Sequence, residues 1–94
     1  MNPQQANSPE TIENWRKRLT FRAWHRGTRE MDLLIGSFAD RHVGAFAPTE
    51  LQDFENILTE NDPDVYDWIT GQKPLPAHLF TPVMDKLRRH RFVK

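Results

Sequence analysis

The side chains of this chain that could do chemistry crowd into one short stretch, Arg26-Gly27-Thr28-Arg29-Glu30. One glycine stands between two helical patterns, so the chain turns there with almost no linker. Arg26, Arg29 and Glu30 then have little room to spread apart. Guanidinium and carboxylate groups held together on a tight turn suit ionic recognition rather than bond-making. The same stretch also reads as a plain helix–helix connection. Gly27 would serve either as the C′ residue of the first helix, where positive φ is easy, or as the N-cap of the second, with Glu30 at N3.

Elsewhere the reactive side chains do not form sites. The four histidines, His25, His42, His78 and His90, lack the spacing of a metal pair and read as surface or boundary residues. Glu60-Asn61-Asp62-Pro63-Asp64 has the proline of a helix start and lacks the glycine and terminal glutamate of a calcium loop. Asp53, Glu55, Asp64 and Asp67 read as a solvated acidic face. The sequence carries no phosphate-cradling glycine loop, nucleophile elbow or dinucleotide fingerprint. With no cysteine, disulfides, thiolate catalysis and Cys-based metal sites are excluded, and a reducing, cytoplasmic setting fits. These residues imply no catalytic centre and no metal.

The elements that position the turn are helical. Trp15, Leu19 and Ala23 recur at helical spacing before it, and Met31, Leu34, Ile35, Phe38 and Ala39 after it. Residues 1–10 read as a disordered polar tail without a signal or transit character, and residues 11–91 as one helical domain. Ser8-Pro9-Glu10 is a helix-start signal, and the first helix runs to about His25 with Ile12 on its apolar face. Phe21 and Trp24 fall off that face. The second helix spans about 28–41. Thr49 and Gln52 suggest a capping box for a third over about 49–60. Asp62-Pro63 opens a short fourth helix, closed by Gly71. A last helical region over about 77–90 presents Leu79, Phe80, Val83, Met84 and Leu87, and Thr81-Pro82 offers a later start for it. Five helices with short connections predict an all-α, compact five-helix bundle in a single domain. No run approaches the roughly 18 apolar residues of a membrane span, so no membrane insertion is expected.

Formal net charge is zero but segregated. Residues 1–47 carry seven basic and five acidic side chains, residues 48–72 seven acidic and no basic, and residues 73–94 six basic and one acidic. Such separation predicts distinct charged faces and oriented docking rather than general nucleic-acid affinity. A nucleic-acid-binding helical domain using Arg16, Lys17, Arg18, Arg22, Arg26 and Arg29 stands as one alternative. A general protein-interaction module stands as another.

Across residues 14–90 the sequence resembles the FAD assembly factors of succinate dehydrogenase, the bacterial SdhE proteins and their mitochondrial counterpart. The resemblance rests on Arg16-Lys17-Arg18-Leu19, on His25-Arg26-Gly27-Thr28-Arg29-Glu30-Met31-Asp32-Leu33-Leu34 with Phe38-Ala39, on Leu51-Gln52-Asp53-Phe54-Glu55 and on Asn61 through Ile69. The family hallmark Arg-Gly-x-x-Glu falls on Arg26, Gly27 and Glu30. Thr28-Arg29 is a polar pair at the variable positions, the tail before residue 10 is longer, and Pro74-Leu75-Pro76 is less characteristic.

The resemblance implies a five-helix protein that is not an enzyme and is a monomer when free. It binds the flavoprotein subunit of succinate dehydrogenase or fumarate reductase and promotes covalent attachment of FAD to a histidine of that subunit. It holds no stable cofactor of its own. The implied partner-binding residues are Arg26, Gly27, Glu30, Arg29, Asp32 and His25. Gly27 would let the partner's backbone approach, Arg26 would offer its fork to a carboxylate or carbonyl, and Glu30 would pair with a partner cation or hold an arginine in place. Asp32 would extend the contact.

Overall fold

The computed structural model describes residues 10–91. Within them lie five α-helices: α1 (Ile12–Trp24), α2 (Arg29–His42), α3 (Pro48–Leu58), α4 (Asp62–Thr70) and α5 (Pro82–Arg89). Two single 3₁₀ turns, Val43–Ala45 and Ala77–Leu79, shape the connections, and no strand occurs among the described residues. The all-α, five-helix expectation holds. The chain up to residue 9, where the disordered tail and the Ser8-Pro9 start were expected, lies outside the described residues.

Side-chain caps set most helix starts, and several differ from the sequence reading. Thr11 caps α1 by accepting from the Asn14 N–H. Thr28, not Gly27, caps α2, accepting from the Met31 N–H, which leaves Glu30 in the second helical position. The box at α3 is formed by the Glu50 carboxylate on the Ala47 N–H at 2.8 Å, while Gln52 bonds Asn56 one turn on. Asn61 rather than Asp62 caps α4, with Pro63 inside the first turn. Thr81 caps α5 with Pro82 following it, and the preceding 3₁₀ turn throws Phe80 outward to 69% exposure instead of into the core. Prolines sit in the first turns of α3, α4 and α5, where the N–H they lack has no helical partner.

α1 and α2 form an antiparallel hairpin. α3 crosses α1, and α5 packs on α3 and α4. Leu19, Ala23, Ile35, Phe38, Leu51, Phe54, Val83, Met84 and Leu87 are almost wholly buried, so all of α1, α2, α3 and α5 contribute to one core. Phe38 is its aromatic centre, with ring centroids 5.5 Å from Phe54 and 6.2 Å from Phe46. Ile12 stays 40% exposed at the start of α1.

The hairpin closes on a glycine that the hydrophobic pattern does not single out. A Cβ built on Gly36 would lie 2.2 Å from the Trp24 ring, so the indole lies directly on the α2 backbone. Trp24 Nε1 donates to Asp40 Oδ1 at 3.2 Å, fixing the ring at its far edge. Trp24 therefore belongs to the α1–α2 seam, although it falls off the main stripe.

One member of the expected solvated acidic face, Glu55, is drawn into the fold. Glu55 accepts from Trp15 Nε1 at 2.9 Å and from Arg18 at 2.8 Å, and Arg22 lies 3.6 Å away. Arg18 also pairs with Glu10 at 2.8 Å, and Lys73 reaches Asp64 and Asp67 at 3.6 and 3.3 Å. Basic residues of α1 thus meet the acidic block where α1 crosses α3, at the half-exposed edge of the fold. The hydrogen bond from Arg18, with the one from Trp15, holds the Glu55 carboxyl below its ordinary range despite its partial burial.

Candidate functional site

The chain leaves α1 at His25 and enters α2 through Thr28, with Arg26 and Gly27 between them. Gly27 has φ +123°, a conformation that side-chain-bearing residues rarely adopt, and nothing lies within 4 Å of a Cβ built there. It is therefore neither the helix C′ residue nor the N-cap. Glycine is needed for the backbone path itself, and the space beside it is open.

Asp32 holds this path from the inside. Its Oδ1 accepts from the backbone N–H groups of both Arg26, at 2.6 Å, and Gly27, at 3.2 Å. One carboxylate one turn into α2 thus satisfies two consecutive donors, where an anion also suits the helix dipole.

Arg26 turns inward. Its Nη2 lies 2.8 Å from Asp62 Oδ1 and its Nε 2.9 Å from the same oxygen. Nη1 donates to the Leu58 carbonyl at 2.8 Å and Nη2 to the Glu60 carbonyl at 3.0 Å. Only 10% of the side chain is exposed. Arg22, one turn earlier, donates to the same Leu58 carbonyl at 3.3 Å. Arg22 of α1 and Arg26 of the turn after it thus satisfy the last carbonyl of α3, which that helix leaves without a donor, and Arg26 also the Glu60 carbonyl just beyond it. In this conformation the Arg26 fork, expected to meet a partner, joins the α1–α2 turn to the α3–α4 junction.

Arg29 and Glu30 face outward. Both are exposed, and neither has a hydrogen bond or ion pair among the described residues. His25 is exposed as well. Its Nδ1–H donates to the Phe21 carbonyl at 2.6 Å, and its ring stacks on Phe21 at 3.9 Å, with Phe21 itself 64% exposed. The six predicted residues therefore divide between framework (Arg26 and Asp32), backbone path (Gly27) and presented surface (His25, Arg29 and Glu30). A depression of about 570 Å³ opens on this surface between Trp24 and Leu33. Phe21 is the exposed neighbour that joins the group, and its place off the α1 stripe was its signal in the sequence.

At the other end of α2 lies a second polar cluster. His90 is buried, against the expectation of a boundary residue, and its Nε2 lies 2.8 Å from Ser37 Oγ. His42 stands between, with ring centroids 4.7 Å from Phe38 and 6.3 Å from His90. Burial, then Arg41, His42 and Arg91, push the His90 pKa down, and burial, Lys86 and Arg41 do the same to His42.

Residues 17–91 match a family model described as the flavinator of succinate dehydrogenase. The chain is 46% identical over 72 residues to the FAD assembly factor SdhE of Acetobacter pasteurianus, covering 77% of this chain and 66% of that one. It is 33% identical over 84 residues to the mitochondrial succinate dehydrogenase assembly factor 2 of Dictyostelium discoideum, covering 89% of this chain and 60% of that protein. The Drosophila grimshawi protein of the same name is 34% identical over 91 residues, with 94% and 62% coverage. The chain thus spans slightly less than two thirds of these relatives' lengths.

Proposed function

The chain belongs to the succinate dehydrogenase flavinator family, and from that premise we propose that it binds the flavoprotein subunit of succinate dehydrogenase, or of fumarate reductase, and promotes covalent attachment of FAD to it. The observation that carries this reading is the outward face of the turn. Arg29 and Glu30 stand unengaged among the described residues beside a glycine with open space above it. Such a surface accepts a partner's backbone at Gly27 and opposite charges on either side.

FAD is the partner's substrate in this reading: its electron-poor ring would activate the attached methyl group, which would lose a proton and bond the partner's histidine while the ring takes up the electron pair. The chain's own residues then bind and orient. Asp32 and Arg26 hold the turn in one shape before binding, so little ordering is left to do when the partner arrives. Glu30 and Arg29 fix the register of the docked surface. The Phe21–His25 stack adds an exposed aromatic face beside it. By stabilising the partner conformation in which histidine and flavin methyl are close, the chain accelerates the step without giving or taking a proton. It carries no tightly held FAD of its own and acts in the compartment where the flavoprotein is assembled, the cytoplasm for a bacterial chain.

The nucleic-acid alternative loses its cations to the fold. Arg16 donates to the Phe46 carbonyl, Arg18 and Arg22 meet Glu55, and Arg26 meets Asp62, which leaves Lys17 and Arg29 for phosphates. The test is to incubate apo flavoprotein subunit with FAD, with and without the chain, and follow covalent flavin by in-gel fluorescence. The expected result is faster covalent labelling with a complex of the two proteins. An unchanged rate, or stoichiometric flavin travelling with the isolated chain, would overturn the reading.

A further inference from the structure

Three depressions follow one another along α2 and share walls. The first, beside Gly27 and Arg29, shares Leu33 with the second, a groove of about 500 Å³ between Glu30, Leu34, Tyr66 and Ile69. His90 and Arg91 in turn line both that groove and a third depression of about 550 Å³, completed by Arg41, His42, Lys86 and Arg89. The 14 residues of α2 carry this surface over roughly 21 Å from the Arg-Gly turn to the basic end.

The third depression has no carboxylate in its lining. Asp85 meets Arg89 at 2.7 Å, and Arg91 donates to the carbonyls of Arg88 and His90, both at 2.9 Å. Arg41 and Lys86 have no hydrogen bond or ion pair among the described residues. α2 and α5 both end here, and their carbonyl ends together offset about one positive charge. Arg41, Lys86 and Arg91 exceed that, so a net positive field of roughly two charges faces solvent.

We propose that this basic end of α2 is a second docking contact, taking a carboxylate-rich surface segment of the flavoprotein whose first contact is the Arg-Gly turn. The inference rests on the function proposed above. A protein segment fits better than a small free anion for two reasons. The helix ends here present carbonyls rather than N–H donors, so no cradle encloses a small ion. Exposed cations on long stems also bind single anions weakly in salt. A segment already tethered about 20 Å away meets them at high effective concentration, which makes weak pairs count.

The test measures affinity of the full chain for the apo flavoprotein subunit at about 0.05 M and about 0.5 M salt. The double variant Arg41→Glu/Lys86→Glu breaks no contact seen within the fold, and Arg41→Lys/Lys86→Arg keeps the charge. The expected result is a loss of roughly tenfold or more for the reversal at low salt, shrinking to under about threefold at high salt, with the conservative variant near wild type. Wild-type affinity in the reversal, or equal loss at both salts, overturns the second contact while leaving the proposed function standing. Failure of the wild-type chain to bind the flavoprotein removes both. Capture of duplex DNA in preference to the flavoprotein also overturns the assignment.

Discussion

The guanidinium of Arg26 and the carboxylate of Asp62 meet at 2.8 Å across 36 positions of sequence, with the side chains 10% and 19% exposed. The contact makes the α1–α2 turn depend on the α3–α4 junction. Removing the guanidinium leaves a partly buried carboxylate and the Glu60 carbonyl without donors, and leaves the Leu58 carbonyl to Arg22 alone. Arg26→Ala is therefore expected to lose about 3 kcal/mol of stability, read as a lowered urea midpoint. Arg26→Lys keeps the charge but cannot reach Asp62, Leu58 and Glu60 at once, and should lose about half as much. An Arg26→Ala protein that melts like wild type yet fails to bind would mean the fork opens outward on docking.

Gly36→Ala places a methyl group inside the Trp24 ring position. The indole must leave the seam or α1 must shift, and a loss of about 2–3 kcal/mol is expected. Tryptophan fluorescence should move to longer wavelength as the ring meets water. A silent Gly36→Ala would show that the hairpin separates without strain.

Glu30→Gln tests the presented surface without touching the framework. Glu30 has no partner among the described residues, so the fold should lose no more than ~0.5 kcal/mol, from the helix dipole. Removing a charge set against a partner cation in a desolvated contact typically takes away about 2–5 kcal/mol of binding. The variant should melt normally yet lose most flavoprotein affinity and covalent flavin yield, whereas Asp53→Asn on α3 should behave as wild type. Equal damage from both would relocate the interface to α3.

Acid should weaken the fold first through His42 and His90. Both have folded pKa values below their ordinary 6.5. The unfolded chain then binds more protons than the folded one, so stability is complete above 6.5 and falls as pH drops below it. The Glu55 carboxyl, lowered from 4.5, releases its contribution only as pH falls further, through that range and below. Melting temperature should therefore decline between pH 7.5 and 5.5, and His42→Gln/His90→Gln should flatten that decline. An unchanged slope in the double variant would assign the acid step elsewhere.

Much of the fold is legible from spacing alone. The stripes at Leu19 and Ala23, at Ile35, Phe38 and Ala39, and at Leu51, Phe54 and Ile57 report which faces meet. The starts of α2, α4 and α5 were readable to within a residue, because Thr28, Asn61 and Thr81 are polar capping types at or beside the expected positions, whereas α1 starts three residues later than the Ser8-Pro9 signal suggests. Pairing of charges across the fold was not readable. Nothing local says that Glu55 belongs to Arg18 or that Arg26 reaches Asp62, since each pair depends on how the helices cross. Gly36 was hidden for a related reason, because its importance lies in the ring that rests on it. The position of Gly27 was clear from sequence, but its φ of +123°, outside the usual helix-cap range, was not.

The anchoring of Arg26 also sets when the turn acquires its shape during the life of the chain. A nascent polypeptide that ends before residue 62 has Asp32 to hold the turn's backbone but lacks the acceptor for the Arg26 guanidinium, so the turn is only half braced until α3 and the start of α4 have emerged and folded. Linkage makes the dependence mutual: a partner that grips the braced turn tightens the distant junction by the same free energy. Slowed amide exchange around residues 58–62 would then report occupancy of a surface those residues need not touch.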